Sequence, residues 1–190
     1  MNTALPKKTY GGYKNLKSYQ TATLIYDLTV EFCKTYMTYA SNKSYRMNDQ
    51  MIQAARSGRQ NIAEGSLASA VSKKTEIKLV GVARASLEEL LLDYQDFLRQ
   101  REFPIWKKED SRAKAVRALA YKSDKSYETY KSYLSYPESA ANCLICLIYQ
   151  ATYLLDKQLA SLEKTFIEEG GYSESLLKKR LERKTKYVKK

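Results

Sequence analysis

The sequence contains no histidine, only three prolines and seven glycines, and no long hydrophobic run. The absence of histidine excludes a Ser-His-Asp or Cys-His catalytic group, a His-ligated zinc ion and the Glu-x-x-His type of di-iron site. Residues 13–103 contain no proline and three glycines, whereas β-sandwiches and β-barrels need turn residues about every ten positions. These absences favour an all-α protein.

Hydrophobic segments are too short for a membrane protein. No apolar run approaches the roughly 18 residues of a membrane-spanning helix, and the first twenty residues lack the hydrophobic stretch of a signal peptide. We therefore expect a cytoplasmic protein without a membrane partner.

The three cysteines do not suggest a cofactor site. Cys143 and Cys146 have the spacing of a metal or redox pair, but they lie in an apolar run, and the chain offers neither a second such pair nor a histidine. Buried, reduced thiols are predicted for both, and for Cys33. No metal and no other cofactor is expected.

Positive charge is concentrated at the two ends of the sequence. The net charge is +12, of which residues 1–20 contribute +4 and residues 171–190 contribute +6. A nearly neutral body with basic ends predicts contact with a polyanion, and nucleic acid is the commonest such partner. Basic ends that only aid solubility are the alternative.

Four long segments have apolar residues at every third or fourth position, which predicts four helices. They span about residues 13–38, 48–64, 72–100 and 137–169. Asn48 is a favourable N-cap, and Gly65 suits the left-handed position after a helix, so these two residues set the predicted ends of the second helix. Small residues on that helix, including Gly58, are expected to allow a neighbouring helix to approach closely.

These helices predict an antiparallel up-and-down four-helix bundle. The predicted parts are an N-terminal arm (1–12), the bundle (13–171) and a basic C-terminal tail (172–190). Residues 105–136 form an insertion between the third and fourth helices, with a short amphipathic helix over 111–121. The fourth helix has a wider apolar face than one core requires, which favours a subunit contact. The residues that widen this face are Ile145, Tyr149 and Tyr153.

An antiparallel bundle also predicts where the charges collect. The start of the first helix, the turn between the second and third, and the end of the fourth meet at one end of such a bundle, here called the basic end. The cations expected there are Lys14, Lys17, Lys73, Lys74 and Lys78, with Lys178, Lys179, Arg180, Arg183 and Lys184 of the tail. The acids expected near the opposite end are Glu88, Glu89, Asp93 and Asp96.

Three motifs resemble a known family. Residues 53–65 read Gln-Ala-Ala-Arg-Ser-Gly-Arg-Gln-Asn-Ile-Ala-Glu-Gly, and residues 83–90 read Ala-Arg-Ala-Ser-Leu-Glu-Glu-Leu. Residues 142–156 read Asn-Cys-Leu-Ile-Cys-Leu-Ile-Tyr-Gln-Ala-Thr-Tyr-Leu-Leu-Asp and are followed by Leu-Glu-Lys-Thr-Phe-Ile-Glu-Glu-Gly-Gly at 162–171. Together they resemble the four-helix-bundle proteins named after ribosomal-RNA intervening sequences. That superfamily includes the accessory variability determinant of diversity-generating retroelements, and the fourth helix is most similar to the "four helix bundle suffix" subgroup. The resemblance covers about residues 13–183.

The resemblance implies a non-enzymatic, cytoplasmic protein that forms a homopentameric ring with a basic surface. In the retroelement branch it implies association with a reverse transcriptase and binding of DNA or RNA. The sequence departs from the family in two places, of which the first bears on helix packing and the second on assembly and partners. Ala85 stands where many relatives have glycine, and the 105–136 insertion is longer than in the compact retroelement members.

The Asn-Ile-Ala-Glu-Gly motif has a structural interpretation. Asn61, Glu64 and Gly65 are expected to fasten the end of the second helix, with the two polar side chains bonded to end groups of adjoining helices. Arg56 and Arg59 lie three residues apart on one helix face. They either pair with carboxylates such as Glu64 or Glu88, or form a phosphate site, because unpaired guanidinium groups are costly to bury.

Nucleic-acid binding through backbone phosphates, with little sequence preference, is the leading functional hypothesis. The chain has 17 tyrosines, some of which could stack on bases. Four of them recur every third residue in the insertion: Tyr127, Tyr130, Tyr133 and Tyr136. An oligomeric adaptor that docks a partner protein, such as a reverse transcriptase, is the alternative.

An enzyme is the third hypothesis. Glu88, Glu89, Asp93 and Asp96 have helical spacing and could hold Mg²⁺, as in all-helical nucleotide pyrophosphohydrolases. The second helix offers only Glu64 as an opposing ligand, and no glycine-rich phosphate loop is present.

Overall fold

The chain folds into α-helices. The computed structural model describes residues 12–37, 42–121 and 126–188, and these ranges contain no β-strand. The predicted all-α class is therefore confirmed. The long helices are α1 (Lys17–Tyr36), α2 (Asn42–Ala68) and α3 (Lys73–Gln100). They are followed by two short helices, α4 (Ser111–Leu119) and α5 (Tyr127–Tyr130), and then by α6 (Pro137–Glu169) and α7 (Tyr172–Val188).

Four long helices share one apolar core. Helix α1 packs against α2 and α6, and α3 packs against the same two helices. Aromatic rings fill the centre: Phe32 of α1 meets Tyr94 and Phe97 of α3 edge to face, with ring centroids 5.0 and 4.8 Å away. Burial of these rings and of the surrounding leucines supplies most of the driving force for folding.

The predicted ends of the third and fourth helices are confirmed. The Ser72 side chain caps α3 by accepting a hydrogen bond from the Thr75 backbone N–H at 3.1 Å. Helix α6 starts with Pro137 in its first turn, and Gly170 ends it with a φ of 71°, a left-handed conformation that suits glycine.

The predicted ends of the second helix are wrong. Helix α2 begins at Asn42, so Asn48 is buried inside the helix and is not its N-cap. The helix also continues through Gly65 to Ala68. Gly65 is needed for a different reason: a Cβ atom there would lie only 3.3 Å from the Glu76 carbonyl oxygen and from Leu79 Cβ of α3. The motif marks close helix packing, not a helix end.

The first helix and the C-terminal segment also differ from prediction. Residues Gly12–Asn15 form a 3₁₀ turn, and α1 starts only at Lys17. The segment predicted as a tail forms α7. The predicted N-terminal arm falls almost wholly on residues 1–11, outside the described ranges.

The insertion packs on α6 through α4 and the 3₁₀ turn Lys131–Ser135. Asn142 of α6 holds the first residues of the insertion in place. Its side chain accepts a hydrogen bond from the Trp106 backbone N–H at 2.7 Å and donates one to the Pro104 carbonyl at 3.0 Å. Asn142 is 1% exposed, so these bonds hold the crossover in a site without competing water. The predicted short helix over 111–121 is confirmed as α4.

The three cysteines are buried and unbridged, as predicted. Burial raises the pKa of the Cys33 thiol to about 12 and also raises the pKa values of Cys143 and Cys146. Neutral thiols are therefore the stable form in the core, which disfavours a redox or metal-binding role.

Candidate nucleic-acid interface

One end of the molecule contains an open cleft of about 750 Å³. The 3₁₀ turn before α1, the α2–α3 connection, the end of α6 and the start of α7 all line it. Five serine and threonine side chains line this space, beside apolar groups such as Leu16 and Leu162. They belong to Ser66, Ser69, Ser161, Thr165 and Ser175.

The cleft brings together two of the predicted cations, Lys73 from α3 and Lys179 from α7. Lys14 of the 3₁₀ turn and Lys17, the first residue of α1, lie close in the chain to Leu16 of the cleft wall, and both are exposed. Lys74 and Lys78 are also exposed, further along α3.

Acidic groups interrupt this basic end. The Lys73 ammonium lies 2.7 Å from a Glu169 carboxylate oxygen, and Glu76 also lines the cleft. The charge of Lys73 is therefore largely compensated inside the chain. Free positive charge is carried instead by the exposed side chains that surround the cleft.

Helix α7 is strongly cationic. All of its side chains from Tyr172 to Lys184 are exposed. Five predicted site residues lie on it: Lys178, Lys179, Arg180, Arg183 and Lys184. Three exposed leucines, Leu176, Leu177 and Leu181, share the helix with them. The sequence predicted the charge of this segment but not its helical form.

Arg56 and Arg59 lie away from the cleft, within α2. Arg59 stacks on an aromatic ring: its guanidinium carbon is 4.2 Å from the centroid of Tyr26 in α1. Arg56 is exposed, and neither arginine forms an ion pair with a described residue. The expected pairing with Glu64 or Glu88 is not found there, and Arg59 has an aromatic partner that sequence reasoning did not identify.

The side chains of the Asn-Ile-Ala-Glu-Gly motif serve the contact between α2 and α3. The Asn61 amide donates to the Ser57 carbonyl at 2.9 Å and lies 3.1 Å from the Ser57 hydroxyl, which is 3.0 Å from the Ser86 hydroxyl of α3. Asn61 thus bonds within its own helix, not to the end of a neighbouring one. Glu64 is exposed.

The four acids of α3 do not form a metal centre. Glu88, Glu89 and Asp96 are exposed, and Asp96 binds Arg99 at 2.8 Å. Asp93 is half-buried, and its pKa is raised by burial and by the neighbouring charges of Asp96 and Glu89. Within the described ranges, no group of three or more acids or cysteines is arranged to hold a metal ion.

The regularly spaced tyrosines of the insertion are not a continuous stacking surface. Tyr130 is fully buried, Tyr127 and Tyr133 are half-buried, and only Tyr136 is largely exposed. These tyrosines are spaced three residues apart along a short helix and a 3₁₀ turn. Some of their rings therefore face the core and pack against it.

None of the helices in the described ranges has an apolar stretch long enough to span a membrane. Comparison with known proteins identifies no relative, because no family model, no curated protein and no solved structure matches this chain. The family resemblance stated above therefore remains a prediction from the residues.

Proposed function

We propose that this protein is a non-enzymatic accessory protein that binds DNA or RNA through the exposed cations of α7 and the basic end. The observation that carries the proposal is the form of α7. It is a helix whose described side chains are all exposed, with five cations on the 13 residues from Tyr172 to Lys184 and only two acids among them.

The binding mode follows from these side chains. Lys and Arg on an exposed helix can approach phosphates without losing a partner inside the protein, and each contact releases condensed counterions. Lys14, Lys17, Lys74 and Lys78 extend the positive surface beside the cleft. Because phosphate contacts carry no base information, the affinity should depend little on sequence.

The proposed fold is an antiparallel up-and-down bundle that self-associates in the cytoplasm. Contacts between opposite ends of neighbouring helices support it: Ser18 early in α1 donates to Gln158 late in α6, and Lys73 at the start of α3 meets Glu169 at the end of α6. A homopentameric ring and a reverse-transcriptase partner are proposals that rest on the family resemblance.

A second candidate function is an adaptor that docks a partner protein. The exposed leucines of α7, each more than half exposed, support it, because a partner groove that covers exposed leucines removes their apolar surface from water. The cations and the leucines of the same helix thus support different partners.

Separate variants of α7 distinguish the two functions. Replacing Lys178, Arg180 and Lys184 by Gln should lower the affinity for a labelled single-stranded oligonucleotide, and it should reduce the slope of the salt dependence by about 0.7 per lost phosphate contact. Replacing Leu177 and Leu181 by Ser should leave this affinity nearly unchanged. Lys34→Gln, an exposed lysine of α1, is the matched control.

The outcome decides between the candidates. Loss of oligonucleotide affinity in the glutamine variant alone supports nucleic-acid binding. Unchanged affinity in the glutamine variant contradicts it. Capture of an acidic partner protein that is lost only in the serine variant supports the adaptor.

A further inference from the structure

Gly81 lies in the middle of α3, where glycine is less favourable for a helix than alanine. Gly58 and Gly65 have a packing reason, because side chains there would collide with α3. Gly81 has no such packing reason within the described part of the chain, because a Cβ atom added to it would meet no heavy atom within 4 Å. A glycine facing open space on a long helix suggests close approach by something outside the chain.

Gly81 belongs to a continuous stripe on α3. Its members are separated alternately by four and three residues, which places them on one face of the helix. They are Lys74, Lys78, Gly81, Ala85, Glu88 and Leu92. All are exposed except Gly81, which is half-exposed, so this face, here called the α3 outer face, is uncovered along five turns.

Charge on the α3 outer face changes sign from one end to the other. Lys74 and Lys78 occupy the first part and Glu88 occupies the second, with Glu89 next to it on the edge of the face. None of the four forms an ion pair with a described residue. A second α3 packed parallel would oppose like charges, whereas an antiparallel one would oppose Lys78 with Glu88 on both sides of the crossing.

We propose that two copies of this chain dock through the α3 outer face, with their α3 helices antiparallel and crossing at Gly81 and Ala85. In this register Gly81 lies against the partner's Ala85, which lets the helix axes approach closely. Lys78 then meets the partner's Glu88, and the Lys74 stem covers the partner's Leu92. Because the contact is two-fold, each pair forms twice.

Apolar groups beside the stripe give this contact additional buried area. Leu92 is 57% exposed, and Tyr149 and Tyr153 of the neighbouring α6 are 54% and 60% exposed. Tyr149 is held at the edge of α3 by Gln95, whose amide nitrogen lies 3.3 Å from the tyrosine hydroxyl. Ile145, the third residue expected to widen this face, is buried within the chain.

The dimer does not depend on the proposed nucleic-acid function. It withdraws Lys74 and Lys78 from the cations available to phosphate, while the described cations of α7, Lys14 and Lys17 are left free. The two proposals can be tested separately, because self-association is measured without nucleic acid.

The test is sedimentation equilibrium of the full chain with a charge exchange. Lys78→Glu alone should create two like-charge contacts, and Glu88→Lys alone should do the same. Each should weaken self-association by about tenfold. An equimolar mixture of the two variants should restore wild-type affinity, because a heterodimer regains both opposite-charge pairs. Lys34→Glu, at an exposed site on α1, should change nothing.

Gly81→Arg provides a second, steric test. The folded chain has open space at this position, so far-UV circular dichroism should be unchanged while the dimer is lost. A wild-type chain that stays monomeric at every soluble concentration would overturn the proposal. Self-association that is unchanged by Gly81→Arg, or a mixture of charge variants that fails to restore association, would also overturn it. Loss of association only in the Leu177 and Leu181 serine variant would assign the contact to α7 instead.

Discussion

At the scale of single residues, Gly58 determines how closely α2 and α3 can pack. A Cβ atom at this position would lie 2.8 Å from Leu87 Cδ2 and 2.9 Å from Leu87 Cγ. Leu87 is fully buried, so it has little space to move away. Gly58→Ala should therefore lower the free energy of unfolding by about 1–3 kcal/mol, although alanine favours the helix.

Gly81→Ala is the matched control, because it makes the same change on an uncrowded face of α3. In urea unfolding at a chain concentration low enough for monomers, it should raise the free energy of unfolding by up to about 1 kcal/mol. Equal effects of the two substitutions would contradict this account of α2–α3 packing.

Two buried tyrosines should respond in opposite directions to loss of the hydroxyl. The Tyr130 hydroxyl is buried without a hydrogen-bond partner among the described residues, so Tyr130→Phe should stabilise the protein by about 1 kcal/mol. The Tyr94 hydroxyl donates to Thr29 Oγ1 at 3.0 Å, so Tyr94→Phe should destabilise it by a similar amount. Thermal or urea unfolding of both variants measures the difference, and destabilisation by Tyr130→Phe would be evidence for a missed partner.

Stability should fall in alkaline solution. Burial raises the pKa of Cys33 from 9.0, and that of Tyr130 from 10.0, to about 12 in each case. A group whose pKa is raised by folding stabilises the folded state below the unfolded pKa, and this contribution is lost as the pH rises towards the folded value. The free energy of unfolding should therefore decline between pH 9 and 12. Tyr130→Phe should flatten the decline, whereas Tyr121→Phe, at an exposed position, should not.

Residue types alone could predict some of these roles but not others. The small residues of α2 correctly indicated close helix packing, and the apolar setting of Cys143 and Cys146 correctly indicated buried thiols. Gly65 was misassigned because glycine suits both a helix end and a close contact, and only the position of α3 decides between them. The stacking of Arg59 on Tyr26 joins distant segments, which no local pattern predicts.

At the scale of secondary-structure elements, the crossover between α3 and α6 depends on Asn142. Asn142→Ala would leave the Trp106 N–H and the Pro104 carbonyl without their partner. The cost should be about 2 kcal/mol or more, since each unpaired buried group costs roughly 1–3 kcal/mol. The single tryptophan of the chain reports the change, and its fluorescence should shift to longer wavelength as the crossover loosens.

Asn61→Ala is the control for this prediction. Asn61 is half-buried and, among the described residues, bonds to Ser57 of its own helix, so its loss should cost under about 1 kcal/mol and leave the fluorescence of Trp106 unchanged. A larger effect at Asn61 than at Asn142 would contradict the role given to Asn142.

Element boundaries could be predicted wherever a local cap determines them. Ser72 and Thr75 define the start of α3, and Pro137 and Gly170 define the two ends of α6. Each of these signals lies within a few residues of the helix end that it sets. Asn48 was predicted as the cap of α2, but it lies inside the helix. Helix α7 was predicted as a tail because a run of cations resembles an exposed tail whether or not it is helical.

At the scale of the whole molecule, the charge distribution has two parts. The first is the exposed cationic set of α7 and the neighbouring lysines around the cleft, which we propose contacts phosphates. The second is the sign change along α3, which we propose brings two copies together. The sequence predicted the first part in outline, but not the compensation of Lys73 by Glu169. It predicted neither the uncovered position of Gly81 nor the two-fold contact, because these depend on which side of α3 the core leaves open.

The most direct measurement of the central claim is the affinity for labelled single-stranded DNA and RNA as a function of salt concentration. The account predicts that the logarithm of the association constant falls linearly with the logarithm of salt concentration, with a slope near −0.7 per phosphate contacted. Deleting residues 172–190 should reduce both the affinity and this slope. Failure to bind either nucleic acid at low salt, or a salt dependence that is unchanged by the deletion, would contradict it.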